Sequence, residues 1–280
     1  MGRTKVTIGE LQAKKAKGQK ITMLTAYDFY TAAMIDQSEV DTILVGDSLG
    51  MVVLGYDSTV PVTMEEMLHH CKAVRRGTQN ALVIGDMPFM SYNISRKEAI
   101  RNAGRLIKEA ACDAVKLEGG TEMAATVKAV VTAGIPVCAH IGLTPQTATK
   151  LSGFKVQGKD AAGARALLES AQALDDAGAF MLVMECIPDA VAAEITRLVS
   201  MPTIGIGAGP DCDGQVLVTN DLLGLFEKFV PKFVKQYTKL APSILEALAA
   251  YVREVKDGTF PGPEHCFQMK VSEMENFKTD

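Results

Sequence analysis

Cysteine is sparse in this 280-residue chain, and its six copies (Cys71, Cys112, Cys138, Cys186, Cys212 and Cys266) form no CxxC pair. So few scattered thiols in a chain of this length make neither a disulfide framework nor a zinc site. They point to a reducing compartment, the cytoplasm. No run approaches the roughly 20 uninterrupted apolar residues of a membrane helix. The first twenty residues carry Lys14, Lys15, Lys17 and Lys20 without the apolar centre of a secretory leader. A basic excess is missing as well. The 29 Lys and Arg face 33 Asp and Glu for a net charge of −4, which excludes the basic face needed for non-specific nucleic-acid binding. GxxxxGK[ST], GxSxG and HExxH are absent, so several enzyme classes fall away.

What is present is a repeated alternation. Short apolar runs occur at Ile21–Thr25, Thr42–Val45, Ala81–Ile84, Ala114–Leu117, Pro136–Ala139, Phe180–Met184, Pro202–Ile206 and Gln215–Val218. Each has the length and Val/Ile/Leu/Met content of a strand covered on both faces. Helical stretches of 10 to 20 residues separate most of them, on the scale of a βαβ crossover. Thr63–Glu66 and Ser95–Glu98 have the form of capping boxes, and Gly134 and Gly178 stand where helix C-caps belong. Eight such units predict a (β/α)8 TIM barrel, with a doubly wound open sheet as the competitor. No composition break marks a second domain, so residues 1–280 read as one barrel domain. Residues 1–20 add a leading helix over Thr7–Lys17, and residues 242–280 a closing helix over Pro242–Lys256 and a tail.

Charge collects where these strands end. Run two leads into Asp47, run three into Asp86, run four into Lys116 and Glu118, and run six into Glu185. C-terminal strand ends line the active face of a barrel. Alternation puts Ile43, Val45 and Asp47 on one face, and Leu82, Ile84 and Asp86 on another; Lys116 and Glu118 also share a face. If those faces point inward, four carboxylates and one ammonium converge on one mouth. Carboxylates so close repel and call for a cation, and all-oxygen ligands favour Mg²⁺. The alternative for each acid singly is a helix cap or turn.

Other residues carry less. His140 ends run five, as a substrate contact or a structural hydrogen-bonder. His69–His70 lies on a helix without a third ligand. Tyr27, Asp28 and Ser48 are pocket or cap residues. The Gly205–Pro210 loop fails the dinucleotide fingerprint and suits an anionic group equally well.

Several longer segments resemble the ketopantoate hydroxymethyltransferase family along nearly the whole chain. They are Met23–Asp28, Val45–Tyr56, Gly85–Tyr92, Val115–Gly120, Gly134–Gln146, Pro202–Gly209, Cys212–Gln215 and Phe260–Phe267. One small departure is Ala139, where the family pattern has glycine. The resemblance implies transfer of a hydroxymethyl group from 5,10-methylenetetrahydrofolate to 3-methyl-2-oxobutanoate, giving 2-dehydropantoate on the route to pantothenate. By motif it implies Asp47, Asp86 and Glu118 as Mg²⁺ ligands, with Asp47, Ser48, Asp86 and Lys116 holding the oxo acid. Glu185 is then the proton acceptor, working on a metal-stabilised enolate. The resemblance also implies a homo-oligomer, in the family often a decamer. Two rivals stand beside it: a Mg-dependent lyase or mutase of the isocitrate lyase/phosphoenolpyruvate mutase type, and a non-catalytic oxo-acid-binding barrel.

Overall fold

A computed structural model of the chain describes residues 3–150, 153, 155–225 and 230–277. The strands are β1 (Ile21–Thr25), β2 (Thr42–Val45), β3 (Leu82–Asp86), β4 (Ala114–Glu118), β5 (Val137–Gly142), β6 (Met181–Glu185), β7 (Thr203–Ile206) and β8 (Gly214–Leu217). All neighbours pair in parallel and β8 closes on β1, so the eight predicted runs form one closed barrel. The helices of the barrel ring and its loops are α1 (Ile8–Ala16), α2 (Phe29–Gln37), α3 (Leu49–Val52), α4 (Met64–Gly77), α5 (Arg96–Ala110), α6 (Ala124–Thr132), α7 (Ala161–Asp176), α8 (Asp189–Leu198) and α9 (Thr219–Leu222). Two more follow, α10 (Leu240–Lys256) and α11 (Val271–Phe277).

Helix α4 shows how local sequence sets an element. The Thr63 hydroxyl accepts from Glu66 N–H and the Glu66 carboxylate accepts from Thr63 N–H, a complete capping box. Met64, Met67, Leu68, Cys71 and Val74 then bury one stripe at helical spacing. The second predicted box is only half formed. Ser95 caps Glu98 N–H, but the Glu98 side chain turns to Arg101 and Asn102. Gly134 and Gly178 both take positive φ, at 87° and 90°, directly after α6 and α7, as C-cap residues do.

Side chains divide the core into two layers. Met23, Leu44, Ile84, Ala114, Cys138, Val183, Ile204 and Val216 fill the barrel interior together with Leu11 of α1, which is 0% exposed. Ile43, Val45, Val83, Val115, Leu117 and Met184 face the helices instead. Thus α1 stoppers the N-terminal end of the barrel, and burying Leu11 contributes roughly 1.5–3 kcal/mol. Ion pairs hold the stopper in place: Lys5 with Asp113 at 2.6 Å, Lys15 with Asp213 at 2.7 Å, and Lys14 with Asp41. Each of these aspartates also accepts a backbone N–H from the neighbouring strand, Asp41 from Thr22, Asp113 from Val83 and Asp213 from Thr203.

The interior pattern corrects one step of the sequence reading. Asp86 shares the inward face with Leu82 and Ile84, as expected, but Ile43 and Val45 point outward. Asp47 reaches the mouth because β2 stops at Val45 and the chain turns through Gly46 and Asp47 into α3, so strand alternation no longer governs it. Among the described residues no helix is long and apolar enough to cross a membrane.

Candidate active site

Strand register assembles the mouth. Asp86 pairs beside Lys116, Glu118 beside His140, and Gly142 beside Glu185. Every one of these polar side chains therefore comes from the last residues of a strand, where the backbone is fixed on both sides. Lys116 Nζ sits 2.9 Å from Asp86 Oδ1 and 3.7 Å from Glu118 Oε1. His140 Nδ1 lies 3.5 Å from Glu118 Oε1, and its Nε2 lies 3.3 Å from Glu185 Oε2. The result is an unbroken charged row, Asp86–Lys116–Glu118–His140–Glu185, along β3 to β6. Asp47 joins it from the β2 turn, its backbone N–H donating to Asp86 Oδ2 at 3.1 Å.

Gly142 permits the end of that row. It has φ of 95°, and a Cβ there would collide with the carbonyl oxygen of Glu185. The next residue, Cys186, takes φ of 48°, a left-handed conformation rare for a residue with a side chain.

Burial dominates the electrostatics. Asp47, Asp86, Lys116, Glu118 and His140 are all buried, whereas Glu185 is partly open. Burial, together with the Asp86 and Glu118 charges, holds the Asp47 carboxyl well above the usual carboxylate range. Burial raises Asp86 as well, against the pull of Lys116. For Glu118, burial is outweighed by His140 and Lys116, so its carboxyl stays below its ordinary value. Lys116 is held protonated: burial opposes its charge, but Asp86, Glu118 and Asp47 outweigh it. His140 is opposed by burial and by Lys116, yet Glu118 and Glu185 lift it to about 9.

Around this row the remaining predicted residues fall into two groups. Tyr27 donates or accepts across 2.8 Å to Ser48, placing both beside Asp47. Asp28 is a helix cap, accepting from Thr31 N–H. His70 bonds the Tyr27 carbonyl at 2.6 Å, and His69 is exposed. The Gly205–Pro210 stretch leaves β7 and packs Gly209 against Asp189. Sequence reasoning missed Gln146 and Tyr92. Both are buried polar residues past the ends of β5 and β3, and both touch the acid cluster.

Three features bear on a bound cation. Among the described residues, no three His, Cys, Asp or Glu side chains stand as a ready-made metal cage. Acids outnumber bases in the cluster, with Asp47, Asp86, Glu118 and Glu185 facing Lys116 and His140. Asp86 Oδ1 is buried with only Lys116 Nζ facing it, at 2.9 Å. Mg²⁺ characteristically binds one or two carboxylates and fills its octahedron with water and substrate oxygens. These oxygen donors fit such an ion without a closed cage.

Three thiols are held away from the reactive thiolate form. Burial pushes Cys138 and Cys186 up to about 12 and Cys212 to about 11.

Comparison with known proteins identifies the family. Residues 5–263 match the family model described as ketopantoate hydroxymethyltransferase. The 3-methyl-2-oxobutanoate hydroxymethyltransferase of Heliobacterium modesticaldum is 61% identical, covering 95% of this chain and 96% of its own. That of Syntrophomonas wolfei is 59% identical over the same shares. Among solved structures, phosphoenolpyruvate phosphomutase from Streptomyces platensis superposes with a TM-score of 0.61 at 14% identity, covering 96% of each chain. A phosphonopyruvate hydrolase solved with oxalate and Mg²⁺ gives 0.61 at 12% identity, covering 97% of this chain and 94% of its own. At those identities the likeness is one of fold. The long, near-complete sequence match carries more: this chain belongs to the ketopantoate hydroxymethyltransferase family.

Proposed function

We propose that the barrel mouth transfers a hydroxymethyl group from 5,10-methylenetetrahydrofolate to 3-methyl-2-oxobutanoate, forming 2-dehydropantoate. The observation that carries this reading is the charged row from Asp86 to Glu185, which sets an ammonium and a partly open carboxylate on either side of His140. Lys116, already protonated, supplies a cation for the oxo-acid carboxylate. Asp47, Ser48 and Asp86 border the same space and orient the substrate. Mg²⁺ held through Asp47, Asp86 and Glu118 would supply positive charge to the substrate's oxo and carboxylate oxygens, making the neighbouring C–H more acidic.

Glu185 takes that C3 proton as general base. His140, 3.3 Å away, fixes the direction in which the Glu185 carboxylate points. Both groups sit on adjacent strands, so little orientation entropy remains to be lost in the reaction. Water opens the folate's methylene bridge: both carbon–nitrogen bonds break, the two nitrogens take up water's protons, and tetrahydrofolate leaves the one-carbon unit as formaldehyde. The C3 carbon then adds to the formaldehyde carbon, and its oxygen takes the proton held by Glu185 to become the hydroxyl.

A lyase or mutase dependent on an activated cysteine at this mouth is disfavoured by the raised thiols of Cys138 and Cys186. A reducing setting such as the cytoplasm suits six free cysteines. Assembly of several copies, in a decamer by family resemblance, is supported by α10. That helix has no buried residue, exposes Leu245, Leu248 and Val252, and carries a groove of about 520 Å³ along that face.

The direct test is mass-spectrometric detection of 2-dehydropantoate from metal-stripped protein given oxo acid and methylenetetrahydrofolate, with and without Mg²⁺. Product only when metal and folate are both present is the expected result. No product from folded protein under any condition overturns the proposal.

A further inference from the structure

Gln146 lies in the turn after β5, 3% exposed, and it ties together the C-terminal ends of β2, β3, β4 and β5. Its side-chain Nε2 donates to Asp47 Oδ2 at 2.9 Å and to the Met87 carbonyl at 2.9 Å. Its Oε1 accepts from the Tyr92 hydroxyl at 2.6 Å. That same hydroxyl accepts from Glu118 N–H at 3.2 Å, and Gln146 N–H donates to Glu118 Oε2 at 3.2 Å. One residue thus grips one oxygen of Asp47 and one of Glu118, while the Tyr92 hydroxyl secures the Glu118 backbone.

Only an amide satisfies this position. The Asp47 carboxylate and the Met87 carbonyl are both acceptors and need two N–H donors side by side. Tyr92, whose oxygen already accepts from Glu118, has its O–H left to give and needs an acceptor. Turning the amide over would set three acceptors face to face. The orientation is therefore fixed by its partners, and it leaves Asp47 Oδ1 and Glu118 Oε1 as the oxygens not held by Gln146. Glu118 Oε1 is the one that faces Lys116 and His140.

We infer that Gln146, steadied by Tyr92, is a positioning residue that presets Asp47 and Glu118 for the divalent cation. The inference rests on the proposed metal role of those two acids and extends it to a side chain outside the charged set. Outer-shell partners of metal ligands typically account for 10- to 100-fold in metal affinity.

The test measures Mn²⁺ binding by electron paramagnetic resonance on full-length, metal-stripped protein with no substrate present. Gln146→Met keeps an unbranched chain of similar length and removes both donors. Tyr92→Phe keeps the ring and removes only the hydroxyl. Asp86→Asn is the control for the cluster itself. Folded Gln146→Met should bind Mn²⁺ roughly 10- to 100-fold more weakly than the wild type. Tyr92→Phe should lose roughly three- to tenfold, the worth of about one hydrogen bond. If Asp86→Asn abolishes binding while Gln146→Met and Tyr92→Phe bind as the wild type does, the inference is overturned and the metal reading stands. If wild type and Asp86→Asn bind equally, or neither binds, the metal reading fails and the inference with it. Should Gln146→Met not fold, Tyr92→Phe decides alone, and unchanged affinity refutes the role.

Discussion

Replacing Lys116 with methionine removes the one ammonium among three buried carboxylates while keeping most of the side-chain volume. At an effective dielectric near 20, its attraction to Asp86 at 2.9 Å is worth about 6 kcal/mol and to Glu118 at 3.7 Å about 4.5 kcal/mol. Desolvation of the ammonium and carboxylates offsets much of that sum. Breaking a buried pair by removing one partner typically leaves a net loss of about 3–5 kcal/mol. For a chain of this size that corresponds to a drop of roughly 6–10 °C in Tm. The loss should depend on pH in a definite direction. Asp47 and Asp86 are raised by burial, so without Lys116 they ionise at still greater cost in the folded state. The deficit is then full at alkaline pH and shrinks as pH falls and the two acids take up protons. Thermal unfolding of metal-stripped wild type and Lys116→Met, at several pH values, reads both effects. Added Mg²⁺ should recover more stability in the variant than in the wild type if the acids accept a second cation. A drop under about 2 °C, or one independent of pH, refutes the view that Lys116 neutralises the cluster.

Other perturbations separate the site from the scaffold. Leu11→Ala, at the stoppered end of the barrel, should cost about 2–5 kcal/mol in denaturant unfolding and leave kcat and KM near wild type below the transition. Asp221, near Tyr27, is raised by burial from an ordinary 3.8 to about 6, so its ionisation opposes folding. The unfolded chain releases that proton near pH 4 and the folded chain only near 6, so stability falls as pH rises through that window. Asp221→Asn should therefore raise Tm at pH 7.5 and leave it unchanged at pH 3.5. Gly142→Ala must move the Glu185 carbonyl, and should lower kcat by roughly tenfold or more while destabilising the protein by about 1–3 kcal/mol; wild-type turnover from this variant would show that Glu185 tolerates displacement.

Much of this arrangement is legible in the sequence. The strands are legible as eight apolar runs, because a barrel strand covered on both faces is mostly Val, Ile, Leu and Met. Asp86, Lys116, Glu118, His140 and Glu185 are legible for a related reason: each is a charged or titratable residue within two positions of the C-terminal end of such a strand. Asp47 was found by the same logic but for a wrong cause, since β2 ends two residues earlier and a turn delivers it. The half-formed box at Ser95 shows the limit of local patterns, for Glu98 had nearby partners in Arg101 and Asn102. Gln146 and Tyr92 gave no signal of their own. They do not titrate at neutral pH, they lie in turns without period, and their importance depends on which strands are neighbours. The same holds for Lys5, Lys14 and Lys15, whose aspartate partners are up to 198 residues away in sequence.

The proposed chemistry turns on removal of the oxo acid's C3 proton by Glu185 at a cation-bearing mouth. Proton NMR of 3-methyl-2-oxobutanoate in D₂O reads that step without the folate, because exchange at C3 collapses the methyl doublet to a singlet. Collapse is expected with wild-type protein and Mg²⁺, and none above the buffer rate with Glu185→Gln that still binds the oxo acid. Exchange by Glu185→Gln at the wild-type rate would contradict that role.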